Sequence, residues 1–445
     1  MIWTIAKREF LDYLKSLRFL IGLLVTVALV GISTAINVSD YRQRLQDCSA
    51  ARQDIKGDPF NVKVFRAPEP LSTLVQGKDR ALGNMAEMTP MDIPMKTSGY
   101  MGEYLSQHHR FVSGFAAIDF TFIVRVVLSL LVIFLVYNTV AGEKSSGTLR
   151  QALANPLPRH ALLVGKLVGG LGAVLVSLSA AVITALLIMI LNPALSLHGE
   201  DWGRILGVVT LSALYLTAFF ALGPFVSVAA NRPSTALALL LQAWIFLIII
   251  YPNLAIVGTR NIVPLPSEEE INYRKGATYE QYDRKLKAIH EEMNKVYASG
   301  GGFPAELMTK STDVMAEAAE AKHQIDLEMH NALRGQARVA EIVSRISPSF
   351  IYDRSVERLA RTGMDEYDRF TDGMGRYWHE YIEATKARWR GYATRAQVKF
   401  PEFTFSPESP GETFAASMID ALVLALISLI FFALSYTMFL RKDVR

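Results

Sequence analysis

Two long apolar runs, residues 120–140 and 161–191, stand on either side of a polar, basic elbow. Each is long enough to cross a hydrocarbon core of roughly 30 Å at about 1.5 Å per helical residue, so the elbow lies at a membrane surface. Comparable blocks occur at 19–38, 205–230, 235–257 and 414–440, and 51% of the chain is apolar. Apolar residues gathered in blocks predict an all-α polytopic membrane protein with six transmembrane helices. Lys144, Arg150, Arg159, His160 and Lys166 crowd the elbow. An excess of Lys and Arg in a short connection marks the cytoplasmic side. Six alternating crossings then put both termini in the cytoplasm, where Arg441, Lys442 and Arg445 agree, and make the chain a multi-pass protein of the plasma (inner) membrane.

The net charge of +4 comes from basic residues at span ends, not from a basic patch interleaved with aromatics, which argues against nucleic acid as a partner. Cys48 is the one cysteine, so an intrachain disulfide framework and a Cys-based zinc site are excluded. It is either an incidental thiol or the donor of a disulfide to a second subunit.

Within the elbow, Ser145, Ser146 and Gly147 can open a short helix over 148–154 that carries Leu149 and Leu153 at i, i+4, with Pro156 and Pro158 ending it. The apolar edge of such a helix can lie on lipid headgroups or dock into a groove on a cytosolic partner, and spacing does not choose between them. The run Gly142-Glu143-Lys144, Gly147-Thr148-Leu149, Pro156 and Gly165-Lys166 resembles the loop between the second and third spans of ABC type-2 transporter permeases. That resemblance implies the docking reading: a coupling helix contacting ABC ATPase subunits, with Glu143, Gly147, Thr148, Leu149, Leu153 and Pro156 as coupling residues. Arg232, in the turn 231–233, falls where the family places a smaller second contact. The resemblance also implies ATP and Mg held by the ATPase subunits, and a second permease subunit in a homodimer or heterodimer. No GxxxxGK[ST] loop occurs in the chain, so no cofactor is expected on this subunit itself, which is not read as an enzyme.

Along the chain, residues 1–18 read as an amphipathic interfacial helix, with Trp3, Phe10, Leu14 and Leu17 on one broad face and Lys7, Arg8, Asp12 and Lys15 polar. The first span covers 19–38; Ser33-Thr34-Ala35 has the small residues of a signal-peptidase site, the competing reading. Residues 39–118 form an extracytoplasmic segment in which the alternation over 60–65 predicts a strand. His108, His109 and Arg110 there are metal or headgroup candidates, more simply solvated. Spans two to five fill 119–258, with the coupling loop at 142–160; Gly169, Gly170 and Gly172 suggest close helix contacts, and Pro224 a kink.

Residues 259–412 form a charged, mostly helical extracytoplasmic domain, and 413–445 the last span and a cytoplasmic tail. Such an insertion between the last two spans loosely resembles a subgroup of the same permeases. In it, Ser267 and Glu270 cap a helix, Gly300 to Gly302 break it, and Tyr367, Phe370, Tyr377, Trp378 and Tyr381 recur at spacings that pack helices together or form a ligand platform. His323, Asp326 and His330 share a helical face, a candidate metal site. Inside the membrane, Asp119, Arg125 and Asp420 are expensive if they face lipid, so they either snorkel or face inward, Arg125 near Asp420 or Asp119.

The sequence supports the transmembrane subunit of an ATP-driven ABC type-2 exporter. Two rivals stand beside it: mechanical transmission of ATPase motion to a cell-envelope partner through 259–412 without transport, and a membrane-anchored extracytoplasmic sensor or hydrolase. No HExxH or GxSxG motif supports the last.

Overall fold

Apolar segments can lie in hydrocarbon only if their backbone groups are bonded within their own helix, and all six blocks do become helices. The computed structural model describes residues 1–54, 62–93, 118–148, 151, 158–259, 262, 264–391 and 398–441. In chain order these form α1 (Ile2–Leu14), α2 (Leu17–Asp54), β1 (Val62–Phe65), β2 (Met85–Met88), α3 (Phe120–Ser146), α4 (Arg159–Ile190), α5 (Gly199–Ala229), α6 (Pro233–Thr259), α7 (Glu268–Ala298), α8 (Ala305–Ser344), α9 (Pro348–Leu359), α10 (Met364–Gly391) and α11 (Pro410–Arg441). Helices α2 to α6 and α11 are long and apolar enough to span a membrane.

α1 lies in a groove cut into α4 by glycines. A Cβ on Gly165 would sit 2.7 Å from Ile5, one on Gly169 would sit 2.5 Å from the Ala6 carbonyl, and one on Gly172 would press on Phe10. Small residues thus bring the two helices together, as the glycine stripe suggests. The expected apolar face of α1 is only partly used: Phe10 and Leu14 pack inward, whereas Trp3 and Leu17 are exposed.

The first span is longer than its apolar block. α2 continues through Asp54, because Arg44 bonds Asp40 at 2.9 Å one turn below and reaches the buried Asp79 at 2.6 Å. Ser33 and Thr34 are buried inside this continuous helix, and Cys48 is half-buried on it.

At the far end from the elbow, the strand expected over 60–65 is present as β1, paired antiparallel with β2, Val62 opposite Met88 and Phe65 opposite Met85. Val64, Ala86 and Met88 from this hairpin share one core with Phe370, Met374, Tyr377, Trp378 and Tyr381 of α10. Trp378 donates its indole N–H to the Thr89 carbonyl (2.9 Å), and Tyr377 its hydroxyl to the Pro401 carbonyl (2.9 Å). The aromatic row is therefore the interior of a domain built jointly from the first far-side segment and the 259–412 insertion. Ser267 caps α7 by accepting from the Glu270 N–H (3.1 Å).

One helix of that insertion does not stay in the domain. α9 carries Ile351, Tyr352, Ser355, Val356 and Leu359 on one buried face, and its apolar members join the core of the spans. Ser347 and Ser349, at its start, donate to the Leu247 carbonyl (2.6 and 3.2 Å) near the middle of α6. The end of α8 runs beside α6, with Tyr251 donating to the Val343 carbonyl (2.8 Å), and leaves Ile342 and Ile346 63% and 68% exposed next to an apolar span. The α8–α9 hairpin is re-entrant: it dips among the spans and returns.

Candidate coupling site

The elbow is the end of a span. α3 loosens at 137–140 and resumes as one last turn, Ala141–Ser146, which closes on Gly147 with φ +77°. Ser145, Ser146 and Gly147, expected to open a helix over 148–154, also end one: Gly147 is the left-handed residue that terminates α3, and Thr148 and Gln151 beyond it are helical. Thr148 is exposed beyond it. Leu149, Leu153 and Pro156, with Arg150, lie outside the described residues, as do His108, His109 and Arg110.

A buried hydroxyl holds the loosened turn. Ser227 of α5 accepts from the N–H groups of Val140 (3.1 Å) and Ala141 (2.9 Å) and donates to the Tyr137 carbonyl (2.9 Å). The Lys144 ammonium caps the end of α5, donating to the carbonyls of Val228 and Ala230, the latter at 3.1 Å. A cation on the last carbonyls of a helix satisfies orphan acceptors and meets the negative end of the dipole. Ala141, Ala230 and Ala236 then pack together, so the elbow, the end of α5 and the start of α6 form one block. Arg232 is exposed on it, immediately before Pro233 at the first position of α6. The two loops singled out from the sequence are thus brought side by side.

A third element joins them. Lys166 of α4, only 5% exposed, places its ammonium 2.6 Å from Glu9 of α1 and 2.8 Å from Glu143 of the elbow. Tyr13 and Thr139 share a hydrogen bond at 3.2 Å, and Arg18 donates to the Tyr137 hydroxyl at 2.7 Å while lying over its ring. Glu9 and Ser227 carried no sequence signal. Lys166 did, since a lysine within an apolar run needs a partner.

Arg125 and Asp119 interact electrostatically, one of the two expected arrangements, but the ion pair itself is made elsewhere. Arg125 forms its ion pair with Asp353 of α9, not with Asp420. Asp420 instead accepts from Ser355, also on α9, at 2.8 Å. Asp119 is the N-cap of α3, accepting from the N–H groups of Phe122 (2.8 Å) and Gln76 (3.0 Å). Asp353 lies in a charged segment that gave no hint of insertion among the spans, so it could not be read as a counter-ion.

The candidate metal ligands of α8, His323, Asp326 and His330, are not brought together: Asp326 pairs with Lys275, and His330 lies 3.4 Å from Asp368. Burial pushes the His323 imidazole below its ordinary range, and no metal-holding group of side chains exists among the described residues.

Six apolar helices, a braced loop block at one end and a helical domain at the other define a multi-pass membrane protein with the plan of a transport subunit. The chain matches the family described as ABC-2 family transporter protein over residues 3–444, and it belongs to that family. It is therefore a transmembrane subunit of an ABC transporter. It is also similar to the probable ABC transporter permease protein NosY of Pseudomonas aeruginosa, 34% identical over 128 residues, which cover 28% of this chain and 45% of that relative. The match thus spans less than half of the relative's length.

Proposed function

We propose that this chain is the permease subunit of an ATP-driven exporter of the plasma (inner) membrane, with both termini and the elbow in the cytoplasm. The observation that supports this most is the braced block: Lys144, Ser227 and Lys166 tie the elbow to α5, α4 and α1, so a push on the loop moves several helices together. The basic residues of α1, the elbow, Arg232 and Arg441, gathered at alternate span ends in the sequence, support that orientation. ABC ATPase subunits holding ATP and Mg would dock on Glu143, Gly147, Thr148, Leu149, Leu153, Pro156 and Arg232. A second permease subunit, identical or related, would complete the assembly. Closure of the ATPases on ATP would displace the elbow and open the dimer on the far side.

The test replaces Leu149 and Leu153 together by Asp in the complex reconstituted in vesicles. Hydrolysis should persist or fall while transport is lost, and membrane insertion should be unchanged. Normal coupling in that variant, or a native preparation from which no ATPase co-purifies, refutes the assignment. A second reading, motion of the far-side domain against a cell-envelope partner without transport, is favoured by α9, which ties that domain into the spans. Flux of labelled cargo in vesicles separates the two.

A further inference from the structure

α3 carries the elbow at one end and Arg125 near the other, so one helix touches both the proposed docking block and the far-side domain. The contact at Arg125 is built from several parts. Residues 123–128 of α3 are π-helical, a geometry that takes backbone carbonyls out of the regular ladder and concentrates at functional sites. The Arg125 carbonyl accepts from both Tyr215 (2.9 Å) and Ser129, and Ser129 accepts in turn from the Trp244 indole at 2.8 Å. The Tyr215 ring stacks on Tyr352 of α9 with centroids 4.6 Å apart, and Tyr352 shares a hydrogen bond with Ser212 at 2.9 Å. The Arg125 guanidinium pairs with Asp353 one residue along. The second π-helical stretch among the described residues, 246–250 of α6, receives Ser347 and Ser349 from the other end of α9.

From α9 the chain passes directly into the domain. Arg361 adopts φ +55° at the end of the helix and donates to the Glu408 carbonyl, while the Thr362 carbonyl accepts from the Lys78 N–H at 2.8 Å. A non-glycine residue in the left-handed region is uncommon, and here its side chain is bound on the far side of the turn. α9 is therefore gripped by the spans along its length and fixed to the domain at its exit.

We infer that Arg125 and Asp353 form the joint through which α3 drives the far-side domain, with α9 as the lever: the pair positions the domain for the nucleotide-dependent motion that starts at the elbow. This rests on the proposed coupling to an ATPase. An ion pair partly buried among helices resists being pulled apart, since separation would leave two charges without partners. Motion of α3 along its axis is consequently passed to α9 before the pair breaks.

The experiment uses the full chain assembled with its ATPase in lipid nanodiscs, with Cys48→Ser removing the native thiol. Spin labels are placed through Glu380→Cys, exposed on α10, and Leu191→Cys, exposed at the far end of α4. The distance between them is measured nucleotide-free and ATP-trapped. A distance change is expected in the parent chain. In Arg125→Met with Asp353→Met, which leaves no lone buried charge, that change should fall to at most about half, with ATPase binding and hydrolysis retained. The swapped pair, Arg125→Asp with Asp353→Arg, should restore it. Removing the α6 contacts through Ser347→Ala with Ser349→Ala should leave it intact. A full distance change in the double-Met chain, no change in the parent despite ATPase binding, or equal loss in the serine variant overturns the joint. Failure of any ATPase to bind the parent chain refutes the proposed function instead.

Discussion

Replacing Lys166 by Met removes the cation shared by Glu9 and Glu143 and keeps most of the side-chain volume. The two carboxylates, each bonded to the same ammonium, would then face each other at about 5 Å. At an effective dielectric near 20 that separation corresponds to about 3 kcal/mol of repulsion. Their side chains are 22% and 29% exposed, so water reduces the figure, and a net loss of about 2 kcal/mol is expected. Unfolding entropy near 2.1 cal/mol/K per residue over 445 residues translates this into a fall of about 2 °C in apparent unfolding temperature. Purified variants in one detergent at one scan rate give the comparison. The triple variant Glu9→Gln, Glu143→Gln, Lys166→Met, which has no charge left to misplace, should recover most of the loss. If Lys166→Met melts with the parent chain, or the triple variant is no better than the single, the three groups are not energetically coupled and the bracing of the elbow by α1 is wrong.

Other expectations follow from the same structure. Gly169→Leu should push α1 off α4, at a cost of about 1–3 kcal/mol read as a lowered unfolding temperature. Gly147→Ala adds a methyl that meets nothing within 4 Å but must hold φ +77°, so a loss of about 1 kcal/mol with normal insertion is expected in thermal melts. Burial opposes ionisation of Glu408, but Arg358, at 2.7 Å, and Arg369 outweigh it and hold the carboxyl below its ordinary value of 4.5. Its stabilisation is present at neutral pH and is lost as pH falls below that value. Glu408→Gln should therefore lower the melting temperature at pH 7 and converge with the parent in acid.

The spans were legible because hydrocarbon imposes one rule on sequence, and each apolar block became a helix, with α3 and α5 overrunning one expected end by more than a turn and α2 by far more. There the extension is polar, held by Arg44 on Asp40 and Asp79, and an apolar count has no means of seeing it. The strand at 62–65 and the aromatic row of α10 followed from periodicity. The bracing of the elbow did not: Ser145-Ser146-Gly147 both ends α3 and leads into helical Thr148, and the bonds of Ser227 and Lys144 that hold it reach partners some 85 residues away. The Arg125 partner failed for a related reason: sequence identifies a costly charge in a span but not a counter-ion arriving from a segment composed like a soluble helix.

That last failure bears on what the insertion can be. A membrane-anchored sensor or hydrolase working through residues 259–412 would be a module with its own core, joined to the spans by connections few contacts cross. Here the core around Phe370 and Trp378 takes Val64, Ala86 and Met88 from the hairpin that precedes α3, and α9 gives Ile351, Tyr352, Val356 and Leu359 to the core of the spans. Cut from the chain, 259–412 would lose one wall of its own interior and expose an apolar helix face that normally meets α5 and α11. The insertion is thus packed as a part of the bundle rather than as a separate module.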